Sequence, residues 1–401
     1  MVRGVGRLLH RVAGAAALPI LGLCVLRSSV LGWEDHLARL WTRAGIEGAI
    51  RLAPGDARNY DALTTLDGPD RLWAFERSIE ATPYNSKAWI ALGLEAELDG
   101  DRGRAERWLL RAARVDRTYG PRWSLANFYF RAGDRARFWP WLREAARMSY
   151  GDPRPLAELA WNMAEDAPEG LAALVGSAPA LESYVAVLLD HERPAAAEAA
   201  AQRLIETAGR EAAEPALAYS DRFLQAGRPD AALRLWNRMA AARLVPTAPL
   251  DAERGPFLSN GDFAYEPLNR GFDWRPRNVA GVSMFREPAG GGMRFIFSGG
   301  QPEYALLMFQ FAPLEPGHRW RFAFEYRTEG LPGETGVRWR TTGAEWQAEA
   351  SDAWREGVFE FSTAPDAPAI APLTLAYDRA PGTVRQAGSF ELRRARLEPA
   401  P

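Results

Sequence analysis

The chain has 401 residues, of which 47% are hydrophobic, 25% charged and 11% aromatic, so it can bury two or three domain cores and is not disordered throughout. A formal net charge of −2 gives no overall attraction to nucleic acid. The single cysteine, Cys24, excludes a disulfide framework, and four scattered histidines argue against a zinc site.

The N-terminus carries Arg3, Arg7 and Arg11, then Val12 to Leu26 without a charge. That run of 15 residues is shorter than the roughly 20 needed to span a bilayer, and suits a signal-peptide core or a signal anchor extended past Arg27 to Trp33. With the basic run held inside, residues 1–33 are expected to anchor a single-pass bacterial inner-membrane protein whose bulk is periplasmic.

Residues 34–245 are rich in alanine, leucine and arginine at helical spacing. Trp89-Ile90-Ala91-Leu92-Gly93 opens one unit, and 34 positions later Trp123 opens another, with Leu125, Ala126 and Asn127 following. Turn glycines fall at Gly100, Gly133 and Gly227. Second helices carry Ala105, Leu109 and Ala112; then Phe138, Leu142 and Ala145; then Ala232, Trp236 and Met239. This pattern resembles the tetratricopeptide repeat, and predicts an α-solenoid of five or six helix pairs. The resemblance implies a groove for a protein partner, with Asn127 and Arg131 as groove candidates. Trp89 and Trp123 are expected in the core.

Residues 246–256, with Pro246 and Pro249, read as a linker. Over 257–399 the period changes from helical to alternating. Strands are expected at Met293–Phe297, Tyr304–Phe311, Trp320–Tyr326, Val337–Arg340, Gly357–Phe361, Leu373–Tyr377 and Ser389–Arg393, which together make an antiparallel β-sandwich. The opening Asn260-Gly261-Asp262-Phe263 resembles that of carbohydrate-binding jelly rolls of the galactose-binding-like class, although Ala264 stands where a glutamate is usual. The resemblance implies aromatic sugar platforms and polar partners, for which Trp274, Arg275, Trp339, Trp346 and Trp354 are the candidates. Relatives of that class also carry a structural calcium, for which Asn260, Asp262 and Glu391 would supply oxygens, but Asn260–Asp262 reads first as a plain turn and no metal is expected.

There is no G-x-S-x-G, H-E-x-x-H, P-loop or dinucleotide motif, and no cofactor is called for. The fold class expected is multidomain α + β: an apolar anchor helix, a tetratricopeptide-like solenoid and a jelly roll. The function expected is a non-enzymatic envelope scaffold. Its repeats bind a protein, its sandwich contacts polysaccharide in surface-polymer assembly or export, and its N-terminus meets the membrane. Two alternatives stand beside it: an adaptor whose sandwich is structural only, and a glycan-active enzyme.

Overall fold

The computed structural model describes residues 2–401 except 67–69, 165–166, 288–290 and 381, with side chains described from Pro19 onward. The chain divides into two compact units, Met1–Met163 and Ala164–Pro401.

In the first unit, α1 (Val2–Arg39) lies against α2 (Arg43–Leu52), and α3 (Ala57–Thr64) pairs with α4 (Arg71–Ala81). Then α5 (Ser86–Leu98) pairs with α6 (Arg102–Val115), and α7 (Tyr119–Arg131) with α8 (Arg135–Met148), before α9 (Arg154–Ala164). The hairpins repeat the same local chemistry. A positive-φ glycine ends the first helix (Gly100, Gly133), and the next aspartate caps the second: Asp101 accepts from Arg104 N at 2.9 Å and Asp134 from Arg137 N at 3.0 Å. A Cβ on Gly93 would lie 2.7 Å from Leu109 Cγ, so the glycine of the repeat motif exists to let α5 and α6 close. The arrangement is of the tetratricopeptide type.

The second-helix stripes are core as expected: Ala105, Leu109, Ala112, Phe138, Leu142 and Ala145 are all buried. The two motif tryptophans are not. Trp89 is half-buried, its Nε1 donating to Pro83 O at 2.9 Å, and Trp123 is half-buried against Tyr119. The smaller Ala88, Leu92, Leu125 and Ala126 fill the interior.

The N-terminal expectation is corrected. Among the described residues, no helix is long and apolar enough to cross a membrane, which overturns the single-pass inner-membrane, periplasmic reading. The cause is charge: α1 carries Arg27, Glu34, Asp35, His36 and Arg39. Its C-terminal end belongs to the repeats, for Glu34 is buried and accepts from Asn59 Nδ2 at 2.7 Å. The side chains of Arg3, Arg7 and Arg11, and of the apolar run up to Leu18, lie outside the described residues.

The second unit holds α10 (Pro168–Leu174), α11 (Ala178–Asp190), α12 (Pro194–Ala208), α13 (Ala213–Gln225) and α14 (Pro229–Ala241), then two five-stranded antiparallel sheets. The first sheet runs β1 (Arg275–Pro276), β4 (Tyr304–Pro313), β9 (Ile370–Asp378), β6 (Glu334–Thr341), β7 (Ala344–Glu349). The second runs β2 (Val282–Arg286), β3 (Met293–Ser298), β10 (Ala387–Pro399), β5 (Arg319–Glu329), β8 (Arg355–Ser362). Both contribute to one aromatic core: Trp339 of β6 meets Phe322 and Phe324 of β5 at ring-centroid distances of 4.8 and 5.6 Å.

The segment expected as a linker is pinned. Asn237 of α14 brackets Leu250, accepting from its N at 2.8 Å and donating to its O at 2.7 Å. The loop before β1 then returns to the helices. Trp236 and Phe272 are both fully buried and meet at 6.2 Å, and Asp221 of α13 accepts from Gly271 N at 2.8 Å and from Arg275.

Candidate functional site

Of the five glycan-platform residues, four are structural. Trp274 and Trp339 are completely buried, so neither has a ring face to offer a sugar. Trp274 stacks on Phe263 at 5.5 Å and donates Nε1 to Asn260 O at 3.0 Å. Trp346 is half-buried, edge-on to Phe324 and Tyr326 at 5.0 and 5.4 Å. Arg275 lies over Phe311 at 5.4 Å, gives Nη2 to Gly271 O at 2.8 Å and pairs with Asp221. In an alternating strand half the aromatics face the core, and here the interior took them.

Trp354 differs. It is half-buried on the outward side of the second sheet, with the Arg393 and Arg327 guanidinium carbons 3.8 and 5.1 Å from its ring centroid.

The three oxygen donors weighed for calcium are engaged elsewhere. Asn260 Oδ1 accepts from Tyr265 N and Asp262 Oδ1 from Ala264 N, so both shape a turn. Glu391 is held by Arg327 at 2.9 Å through both Nε and Nη2, with Arg294 at 3.6 Å; a carboxylate already between two cations is a poor calcium ligand. No cluster of His, Cys, Asp or Glu suited to a metal occurs among the described residues. Gly261 is there for close approach: a Cβ would fall 2.2 Å from Ala395 O.

The groove candidates serve the repeats. Asn127 Nδ2 donates to Trp123 O at 2.9 Å. Arg131 makes a two-pronged pair with Glu97, 34 residues earlier, at 2.8 and 2.6 Å.

Sequence reasoning missed a recess of the first unit. It has a volume of about 1070 Å³, between α1, the α2–α3 turn and the turn before α5. Leu23, Leu26 and Leu31 of α1, with Leu52 and Tyr84, present exposed apolar surface around it. Asp56, Arg58 and Arg27 add charge. Arg58 donates to Asp56 at 2.5 Å, and that bond holds the Asp56 carboxyl below its ordinary range against the opposing effect of burial. The signal was present in the sequence as unpatterned leucines, but hydropathy alone assigned them to a bilayer.

Two carboxylates of the second unit, Glu325 and Glu345, are each tied to a pair of arginines. Hydrogen bonds from Arg394 and Arg393 hold Glu325 below its usual range despite some desolvation. Burial raises Glu345, but hydrogen bonds from Arg338 and Arg340 outweigh it and leave it low. Asp273 differs from these. Burial pushes it up to about 6, against a backbone hydrogen bond from Leu268 N at 2.7 Å, and its Oδ1 has no partner.

No protein-family model and no curated protein matches the sequence. Parts of the chain are similar to solved structures. A carbohydrate-binding module, CBM4, is 11% identical over 35% of this chain and 98% of its own, with a TM-score of 0.28. PilF from Pseudomonas aeruginosa is 13% identical over 44% of this chain and 93% of its own, with a TM-score of 0.32. YrrB, a tetratricopeptide protein with a peptide-binding site, is 12% identical over 49% and 92%, with a TM-score of 0.26.

Proposed function

We propose that the chain is a protein-interaction scaffold in which the recess beside α1 receives an apolar segment of a protein partner. The observation that carries this is the ring of exposed leucines with Tyr84 around a recess of about 1070 Å³, inside an array of helix hairpins. A patch of this kind on a folded protein marks an interaction surface. We read the two sheets as the halves of a jelly roll, on the strength of their strand orders and the core they share. The role is non-enzymatic in this reading. Glu345 and Glu325 are tied to arginines, and Asp273, whose pKa would suit an acid, is wholly enclosed. Of the sugar platforms, Trp346 and Trp354 are half-buried, and Trp354 already lies against Arg393 and Arg327.

The test is site-specific photo-crosslinking from position 26 of the full chain in its native cells. A discrete protein adduct that disappears in Leu52→Glu and Leu23→Asp supports the reading. Adducts to lipid alone, or an adduct indifferent to both substitutions, overturn it.

A further inference from the structure

Charge is spread unevenly along the chain. Residues 101–150, from the cap of α6 to just past α8, hold 12 arginines against five acidic residues. Their net charge is +7 in a chain whose total is −2. The five acids are all engaged within the first unit. Asp101 and Asp134 cap α6 and α8 and bond Arg104 and Arg137. Glu106 takes Arg137 and Tyr129, Asp116 takes Ser86 and Thr118 N, and Glu144 takes Arg122.

Six arginines are left over. Arg111, Arg114, Arg117, Arg143 and Arg147 make no ion pair or side-chain hydrogen bond among the described residues. Arg107 is attracted by Asp101, whose carboxylate already binds Arg104. Along α6, Arg107, Arg111 and Arg114 follow one another at i+4 and i+3, on the side away from the buried Ala105, Leu109 and Ala112. Arg143 and Arg147 repeat the i+4 step on α8. Arg122 ties the two helices together. It donates Nη1 to Asp116 O and Thr118 O after α6, at 2.9 and 3.0 Å, and Nε to Glu144 of α8, at 3.2 Å. The six cations therefore lie on the second helices and the turn between the hairpins, not on the first helix that carries Asn127 and Arg131.

Like charges one helical turn apart repel and weaken a helix. The helix dipole offsets this for Arg114 and Arg147, in the last turns of α6 and α8, but not for Arg107, Arg111 or Arg143. Packing does not use them either, for Arg107, Arg111, Arg114, Arg117 and Arg147 are exposed. A row that weakens the fold and makes no contact within it is accounted for by a ligand that neutralises it. Guanidinium groups only donate, so that ligand is an anion with repeated acceptors. One guanidinium per helical turn sets a spacing of roughly 5–6 Å, the spacing of carboxylates on every third or fourth residue of a helix. The neighbouring surface is apolar: Tyr119 packs on Trp123 and Tyr150 at 5.9 and 5.7 Å, and Tyr150 and Met148 remain 77% and 39% exposed beside Arg147. Met148, like the leucines of the recess, calls for aliphatic side chains, which nucleic acid lacks.

We propose that this face docks an acidic segment of a protein partner, with carboxylates at helical spacing and an aliphatic residue against Met148 and Tyr150. The carboxylates meet Arg107, Arg111 and Arg114 of α6 and Arg143 and Arg147 of α8. The choice of protein over nucleic acid rests on the scaffold reading; the charge pattern stands without it.

The experiment is an anisotropy titration of the full chain at physiological salt. The probes are a labelled helical peptide with glutamate and leucine at helical spacing, the same peptide with glutamine for glutamate, and a single-stranded DNA of equal length. Expected are saturable binding of the acidic peptide, at least about tenfold weaker binding of the other two, and loss of affinity with added salt. The double variant Arg111→Ala, Arg114→Ala should weaken peptide binding about tenfold or more, with the melting temperature retained or raised. The control Arg228→Ala, Arg243→Ala, at exposed arginines of the second unit, should leave it unchanged. Leu52→Glu should also leave binding at this face intact, so arginine-dependent binding in that variant supports the proposal even where the recess reading fails. Binding lost in Leu52→Glu but indifferent to the α6 double variant keeps the recess and overturns this proposal. No saturable peptide binding by a cooperatively melting chain, equal affinity for the glutamine peptide, or tighter binding of the DNA would each overturn it as well.

Discussion

Asp273 is a carboxyl enclosed in a loop with one oxygen lacking any partner. Its folded pKa, near 6, lies above the ordinary value, so the folded chain keeps a proton that the unfolded chain has already released. The sign follows: between about pH 4 and 6 this group lowers stability as pH rises, and the loss persists above that window. Asp273→Asn keeps an acceptor for Leu268 N and removes the charge. It should therefore stabilise the second unit by about 2 kcal/mol at pH 8 and leave it nearly unchanged at pH 4, as denaturant melts at both values would show. Gly271 is constrained differently. Its φ is 54°, and a Cβ would fall 2.5 Å from the Trp236 ring. Gly271→Ala should cost about 2–3 kcal/mol, from the backbone conformation and from displacing a buried tryptophan; a matched thermal melt measures it.

Two kinds of ion pair join neighbouring helices and loops, and burial separates them. Arg131–Glu97 spans the 34-residue repeat in a surface setting, with Arg131 45% exposed along its side chain. Such a pair contributes under about 1 kcal/mol, so Arg131→Ala should shift the denaturation midpoint of the first unit only slightly. Arg275–Asp221 is enclosed, at 14% and 19%. Asp221→Ala leaves Arg275 among Phe309 and Phe311 without its carboxylate and frees Gly271 N, and should cost about 3 kcal/mol in the same measurement. Period separated helix from strand correctly, because core-facing side chains recur every 3.6 or every two residues whatever the partner. Two edge strands, β7 and β2, escaped that argument. β7 reads Ala-Glu-Trp-Gln-Ala-Glu and buries only Ala348, and β2 is only half covered, so neither shows a full apolar face. They exist because β6 and β3 offer free hydrogen-bonding edges.

For the second unit taken whole, the last helix hairpin and the two sheets are one packing problem. Trp236, Phe272, Gly271 and Asp221 join them, and Asn237 ties down the intervening chain. A fragment 257–401 would expose Phe272 and leave Arg275 without Asp221. It should melt with about 3 kcal/mol less stability than a fragment 164–401, which should unfold in a single transition; calorimetry of both tests this. A change of composition at Pro246 marks where helices stop, but carries no information on whether two cores touch. The architecture, a repeat array followed by two sheets, was legible in local patterns: the glycine and aspartate turns, the 34-residue spacing and the alternating strands. Those features depend on neighbours a few residues away, so a single chain displays them. Which aromatic is core and which is surface depends on residues far along the chain. Trp274, Trp339 and Trp354 have similar surroundings in sequence, yet two close the interior and one lies on arginines outside it. Likewise, Leu23 and Leu26 read as membrane matter until Glu34 is seen buried against Asn59, and Glu391 as a cation ligand until Arg327 and Arg294 converge on it from two other strands. Burial and charge pairing are sums over distant partners, and folding is what brings those partners together.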